Sequence, residues 1–223
     1  MQGSKGIWGF LVLALTVGAA SLGAVERPTW GVNLDGGYGS FAMTDVNNSV
    51  NGSGMSKING GTDLSLSAEW RPMPALEVAV DIETLLAYTS GNNYGADVDL
   101  SLPALWVGPS AYYVLPLNDQ WDLRAGGGIG YVGLVSAQET IKGGGQYTAV
   151  DFSGSGFGAR ALVAADYYFT RHISLGLELG YRYAVINSFT KDGGAAVQKN
   201  DGGGDMSLDY SGLHSKLALG YWF

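Results

Sequence analysis

The sequence contains no cysteine, which excludes a disulfide framework. It also lacks an apolar run long enough for a membrane helix. The stretch from Ile7 to Val17 falls short of the about 20 residues such a helix needs, and no later stretch approaches that length without a charge or a glycine. Charge is scarce as well, 14% of residues against about 25% in soluble domains, and the formal balance of −8 is acidic. Nothing here attracts nucleic acid. What the chain has instead is 46% hydrophobic residues that never gather into blocks, with 36 glycines and 13 tyrosines. Such a composition suits short strands and turns in which apolar residues are dispersed by alternation.

At the amino end, Lys5 precedes the apolar run, and the small residues Gly18, Ala19, Ala20, Ser21, Gly23 and Ala24 follow it. This order predicts a secretory signal peptide over residues 1–24 and a single domain over 25–223. Cleavage is placed after Ala24, with Gly23 an alternative. Loss of Lys5 with the signal leaves 11 basic against 20 acidic residues, a mature charge of −9.

At the carboxy end, Leu213, Ser215, Leu217, Leu219, Tyr221 and Phe223 share one parity, while Gly212, His214, Lys216, Ala218, Gly220 and Trp222 occupy the other. Strand side chains alternate faces, so one face is an apolar ribbon and the other is mixed. That pattern predicts a strand with lipid on one side and a polar lumen on the other. Eight segments alternate in this way, near 29–42, 61–71, 76–89, 104–115, 120–133, 152–169, 172–186 and 207–223. In the seventh, Ile173, Leu175, Leu177, Leu179 and Tyr181 alternate with Ser174, Gly176, Glu178, Gly180 and Arg182. Pro103 and Pro109 interrupt the fourth, and its upstream residues Asp97, Asp99 and Ser101 fall out of phase, so a bulge is expected near its start.

Connections alternate between tight ones, Arg71 to Ala75, Pro116 to Asp119 and Thr170 to Arg171, and long ones near 43–60, 90–103, 134–151 and 187–206. With both termini on the short-turn side, the fold class is an all-β, eight-stranded antiparallel up-and-down transmembrane β-barrel with periplasmic turns and extracellular loops. The long loops, rich in Gly, Asn, Asp and Ser, are expected to be solvated and mobile. Outward aromatics fall near strand ends, with Trp30, Trp70, Tyr113, Trp121, Tyr167, Phe169, Tyr221 and Phe223 low and Tyr38, Tyr88, Tyr131, Tyr181 and Tyr183 high. Two interfacial girdles follow. A soluble barrel would place bulky apolar residues inside, whereas here the charges share the inward parity.

The ending Leu217-Ala218-Leu219-Gly220-Tyr221-Trp222-Phe223 resembles the terminal segment of the small outer-membrane β-barrel family, the group that includes the transmembrane domain of outer-membrane protein A and the OmpX-like proteins. Gly108-Pro109-Ser110-Ala111-Tyr112-Tyr113, followed by Trp121 to Tyr131, is similar to the hairpins of that family. The resemblance covers essentially the whole mature chain. It implies residence in the outer membrane after Sec-type export, among lipids and lipopolysaccharide. It further implies handling by periplasmic chaperones and by the barrel assembly machinery, which would read Leu217, Leu219, Tyr221 and Phe223. Because the sequence stops at Phe223, a peptidoglycan-binding domain and cell-wall anchoring are not expected.

Eight strands enclose space for side chains only. The inward parity offers the acids Asp35, Asp63, Glu69, Glu77, Asp81, Glu83, Asp122, Asp166 and Glu178, with Arg71, Arg124, Arg160, Arg182 and Lys216 opposing them and His214 nearby. Unpaired charges would be costly there, so an interlocked network closing the lumen is expected. The alternative is a narrow cation-preferring path, for which the inward Gly126, Gly128, Gly130, Gly156, Gly158, Gly176 and Gly180 would leave room for water. A lipid A-modifying enzyme would need a serine–histidine pair, but the histidines are only His172 and His214, and Ser215 faces away from His214. Asp97, Asp99, Asp201 and Asp205 are acidic loop residues without a calcium-loop spacing. The sequence therefore predicts a monomeric, non-enzymatic barrel with a structural and surface-facing role, without cofactor or metal.

Overall fold

A computed structural model describes residues 28–51, 54–93, 95–143, 145–187, 189–191, 197–200 and 202–223. The expected signal segment and its cleavage site lie outside the described residues, as do Gly52, Ser53 and Asp201 of the long loops. The elements are β1 (Trp30–Ser40), α1 (Thr44–Ser49), β2 (Gly60–Met73), β3 (Leu76–Asn93), β4 (Ala96–Pro116), β5 (Trp121–Leu134), β6 (Ala137–Gly143), β7 (Gln146–Tyr168), β8 (Ile173–Ile186), β9 (Phe189–Lys191), β10 (Leu208–Asp209) and β11 (Gly212–Trp222).

Eight of these strands form an antiparallel ring in the order β1, β2, β3, β4, β5, β7, β8, β11. β1 closes it: Leu34 lies opposite Leu66 of β2 on one side and Leu219 of β11 on the other. A closed ring leaves no edge, so each backbone donor and acceptor at membrane depth finds a partner strand. Outside, Val32, Leu34, Leu64, Leu66, Leu177 and Leu219 are exposed in a continuous belt, as residues facing lipid should be. The periplasmic girdle contains Trp30 stacked on Trp70, with ring centroids 5.7 Å apart, and Trp121 against Tyr167 at 5.0 Å.

The short turns are held by local side chains. Asn118 Oδ1 accepts from the backbone N–H groups of Gln120 and Trp121 at 2.8 and 3.0 Å. Thr170 Oγ1 accepts from those of His172 and Ile173, both at 3.1 Å. These are the turns that Asn and Thr favour because their oxygens mimic a backbone acceptor.

Two of the long connections, 90–103 and 134–151, differ from the expected solvated loops. Residues 90–93 and 96–103 are strand: β3 and β4 pair without a slip from Leu76↔Tyr113 to Asn93↔Ala96. The expected bulge near the start of the fourth segment is therefore absent. It lies instead between β5 and β6, where the pairing with β4 shifts by one residue around Ser136, whose φ is 54°. β6 and the upper part of β7 then pair as a second hairpin, so much of 134–151 is also strand. Above the membrane these strands form a raised wall. The physical reason is visible in the parity: Val98, Leu102, Ala104 and Trp106 continue the inward face of β4 as apolar residues, while Asp97, Asp99 and Ser101 face away from that core.

The chemistry of the two faces thus inverts with height. Below, the barrel is oily outside and charged inside; above, it is an ordinary apolar core in water. Phe41, Met43, Val46 and Ile58 from the 41–59 connection descend onto Leu85, Leu102, Trp106, Ile186 and Tyr210. Asn47 fastens this lid by donating to Ile58 O at 2.9 Å and accepting from Ile58 N at 2.7 Å. Asp45 Oδ2 accepts from both the backbone N–H and the hydroxyl of Ser207 at 2.8 Å.

The boundary between these two regimes is testable. Leu66→Arg, at the middle of the lipid-facing belt, should destabilise the barrel by about 2–4 kcal/mol in urea titrations in lipid vesicles. Ser101→Arg, on the outer side of the raised wall, should change stability by less than about 1 kcal/mol, as expected near or beyond the interface.

Candidate functional site: a charged lumen beneath an apolar core

Alternation points one row of each strand into the lumen, and the charged residues of those rows are buried. They assemble around two carboxylates. Glu77 is the lower hub: its Oε2 accepts from Arg71 Nε at 2.7 Å and its Oε1 from Arg124 Nη1 at 2.7 Å. Arg71 also reaches Asp122 at 3.0 Å and the Tyr168 hydroxyl at 2.9 Å, so one guanidinium ties β2 to β3, β5 and β7. Arg124 grips Asp166 with two nitrogens, at 2.6 and 3.2 Å, and Glu69 with a third contact of 3.1 Å. Asn33 donates to the same Glu69 oxygen.

Glu83 is the upper hub. Its oxygens meet Arg160 at 3.1 Å, Arg182 at 2.8 Å and Lys216 at 2.7 Å. Arg160 pairs in addition with Asp81, which accepts from Ser67 and Ser110. Arg182 reaches Asp63 at 3.2 Å and donates to Tyr210 O at 3.2 Å. His214 Nε2 lies 3.1 Å from Glu178, and Lys216 lies 3.9 Å from the same carboxylate. Ser65 donates to Asp35 at 3.0 Å.

Tyr112 joins the two hubs. Its hydroxyl accepts from Arg160 at 3.2 Å, and the Arg124 guanidinium lies 5.5 Å from its ring centroid. Both ends of the network finish on aromatics. Arg71 lies 4.1 Å from the Trp222 ring at the periplasmic end, and Arg182 lies 5.6 Å from the Phe41 ring beneath the lid. A cation over an aromatic face keeps part of its electrostatic stabilisation after losing water.

The lumen residues named from the sequence are brought together, and every one of the nine acids has a hydrogen-bonded or ionic partner. The inward glycines, however, do not leave the room expected of them. A Cβ at Gly130 or Gly158 would strike Trp106, one at Gly180 would strike His214, one at Gly176 would strike Asp166, and one at Gly128 would strike Ser110. The space that a glycine opens is taken by a larger inward residue of an adjacent strand or, for Gly158, by Trp106 from two strands away. Residues not singled out from the sequence matter here: Tyr112, Tyr168, Tyr210 and the serines at 65, 67 and 110. Their shared signal was inward parity, which an uncharged residue does not advertise.

His214 is buried and Ser215 exposed on the opposite face, so this pair does not meet. Of the acidic loop residues, Asp97 accepts from Asn92 at 3.0 Å, Asp99 accepts from Tyr88 at 2.9 Å, and Asp205 pairs with Lys199. Among the described residues no group of three or more His, Asp and Glu side chains is placed to hold a metal ion.

A closed antiparallel ring, oily outside at membrane depth and charged within, defines a transmembrane β-barrel. The chain belongs to the outer membrane protein beta-barrel domain family, whose model matches residues 10–223, and its place is the bacterial outer membrane. Among solved structures it is similar to Neisserial surface protein A, with 15% identity and a TM-score of 0.51 over 89% of this chain and 100% of that one. It is also similar to a major outer membrane protein from Thermus thermophilus, with 14% identity and a TM-score of 0.50 over 87% and 99% of the two chains. At these identities the likeness shows the fold alone. No curated protein matches the sequence.

Removing one member of the lower hub tests its energetics. Arg124→Ala strands Glu69, Glu77 and Asp166 without their shared cation and should cost about 3–5 kcal/mol, the range for breaking a buried pair. Lys142→Ala, which removes an exposed 3.5 Å pair with Asp99, should cost less than about 1 kcal/mol. Urea unfolding of both variants in vesicles reads the difference.

Proposed function

We propose that this protein is a monomeric, non-catalytic barrel that supports the outer membrane and presents its extracellular rim to lipopolysaccharide, host or phage, with a lumen that does not conduct. One observation carries the reading: the guanidinium network from Arg71 to Arg182 is capped by the apolar packing of Phe41, Met43 and Trp106. An ion crossing it would have to displace paired charges and then enter a region with nothing to replace its water. Residues 1–24 are read as the export signal. The outward, exposed Leu217, Leu219, Tyr221 and Phe223 are read as the face offered to the assembly machinery.

A cation-preferring path is the second reading. It is favoured by Asp35 Oδ1, Asp63 Oδ1 and Glu69 Oε2, buried carboxylate oxygens that have no partner.

Planar-bilayer recording of the refolded full chain separates the two. The expected result is no reproducible open level for the natural sequence, with leak events appearing when Trp106→Ala is combined with Arg160→Ala. Stable openings of the natural sequence that vanish with Asp81→Asn or Glu83→Gln would overturn the non-conducting reading.

A further inference from the structure

At the extracellular end, between the lid and the raised wall, lies a cavity of about 350 Å³. Its floor is Leu102 and Leu208, both buried, and its wall includes Leu100, Ile141, Phe152 and Phe189. Met55 and Met206 line it as well, two unbranched side chains that adapt to irregular shapes. Ser49 and Lys199 stand exposed around it, so the cavity is reached from the aqueous side, above the lipid. Its volume falls in the range of small-molecule sites, which are apolar pockets with a few placed polar groups.

One of those groups is out of character with its surroundings. Glu139 lines the same cavity, on the parity of β6 that carries Ala137 and Ile141, and its register partners are Leu100 of β4 and Val150 of β7. No described side chain donates to it. Lys199, the cavity's basic residue, is engaged by Asp205, and Lys142, on the outer side of the same strand, lies against Asp99. Every buried acid of the lumen has a partner, whereas this half-buried acid at the edge of an apolar pocket has none among the described residues. A carboxylate in an apolar wall interacts best with a cation delivered by something that also fills the pocket.

We propose that this cavity binds a small organic cation with an apolar body, its ammonium group against Glu139 and its hydrocarbon against Leu100, Leu102, Phe152 and the two methionines. The site is separate from the lumen network and does not depend on whether the barrel conducts. The mature chain's acidity would raise the local concentration of such a ligand at the surface.

The test uses the full chain, refolded in lipid nanodiscs with ¹³C-methyl methionine, and three matched probes: 4-phenylbutylammonium, 4-phenylbutanol and 4-phenylbutanoate. The expected result is saturable shifts of the Met55 and Met206 methyls, with the exposed Met73 methyl at the β2–β3 turn, at the opposite end of the barrel, unmoved, and binding of the ammonium at least about tenfold tighter than of the carboxylate, the scale of one charge-assisted contact. Glu139→Gln should abolish the preference while retaining the alcohol, and Leu100→Trp should abolish all three. Unsaturable shifts, shifts that include Met73 equally, or an ammonium preference that survives Glu139→Gln would overturn the proposal.

Discussion

The closure of β1 onto β11 governs everything else in the molecule. In lipid an unpaired strand edge costs several kcal/mol for each exposed backbone group, so the sheet is stable only as a ring. Closure at eight strands then sets the lumen width, which admits side chains but not a wide water column. Once the width is set, every inward side chain must be packed against others from across the barrel. The charge network, the glycine sites filled by their neighbours and the aromatic caps at each end are all consequences.

Within that lumen, two carboxylates do most of the organising. Glu77 and Glu83 each take more than one cation, and Tyr112 links their clusters through a hydroxyl on one side and a ring face on the other. Arginine suits this arrangement because its planar, weakly hydrated fork can serve several carboxylates at once. Buried pairs of this kind give little net stability over an apolar core but make single losses severe.

Above the membrane the same strands face water, and the chain reverses its pattern to match. Trp106 is the pivot. It lies across Gly130 and Gly158, with the charged lumen below and the apolar core of Phe41, Met43 and Leu102 above. The lid is held by hydrogen bonds of Asn47 and Asp45 together with an antiparallel bridge from Met55 to Gly91 and a backbone bond from Met43 to Asp209, and the cavity containing Glu139 opens beside it. The extracellular part is thus a folded structure with its own interior, and the outer surface the protein presents is built on it.

Period-two alternation is a local property of a strand, so the order of residues was enough to reveal the eight segments, the lipid-facing parity of Leu34 or Leu177, and the inward row of acids and arginines. Those readings needed no knowledge of which strand neighbours which. The remainder came from the folded molecule. Whether 90–103 and 134–151 are loops depends on the partner strand that rises beside them, and the out-of-phase Asp97, Asp99 and Ser101 mark a change of solvent outside the barrel, not a break in the strand. Whether Gly130 leaves a void depends on Trp106, which is distant in the sequence and adjacent across the ladder. Which of several carboxylates Arg124 holds depends on strands meeting across the lumen. Pairing, filling and solvent boundary are relations between distant residues, and only the closed ring brings those residues together.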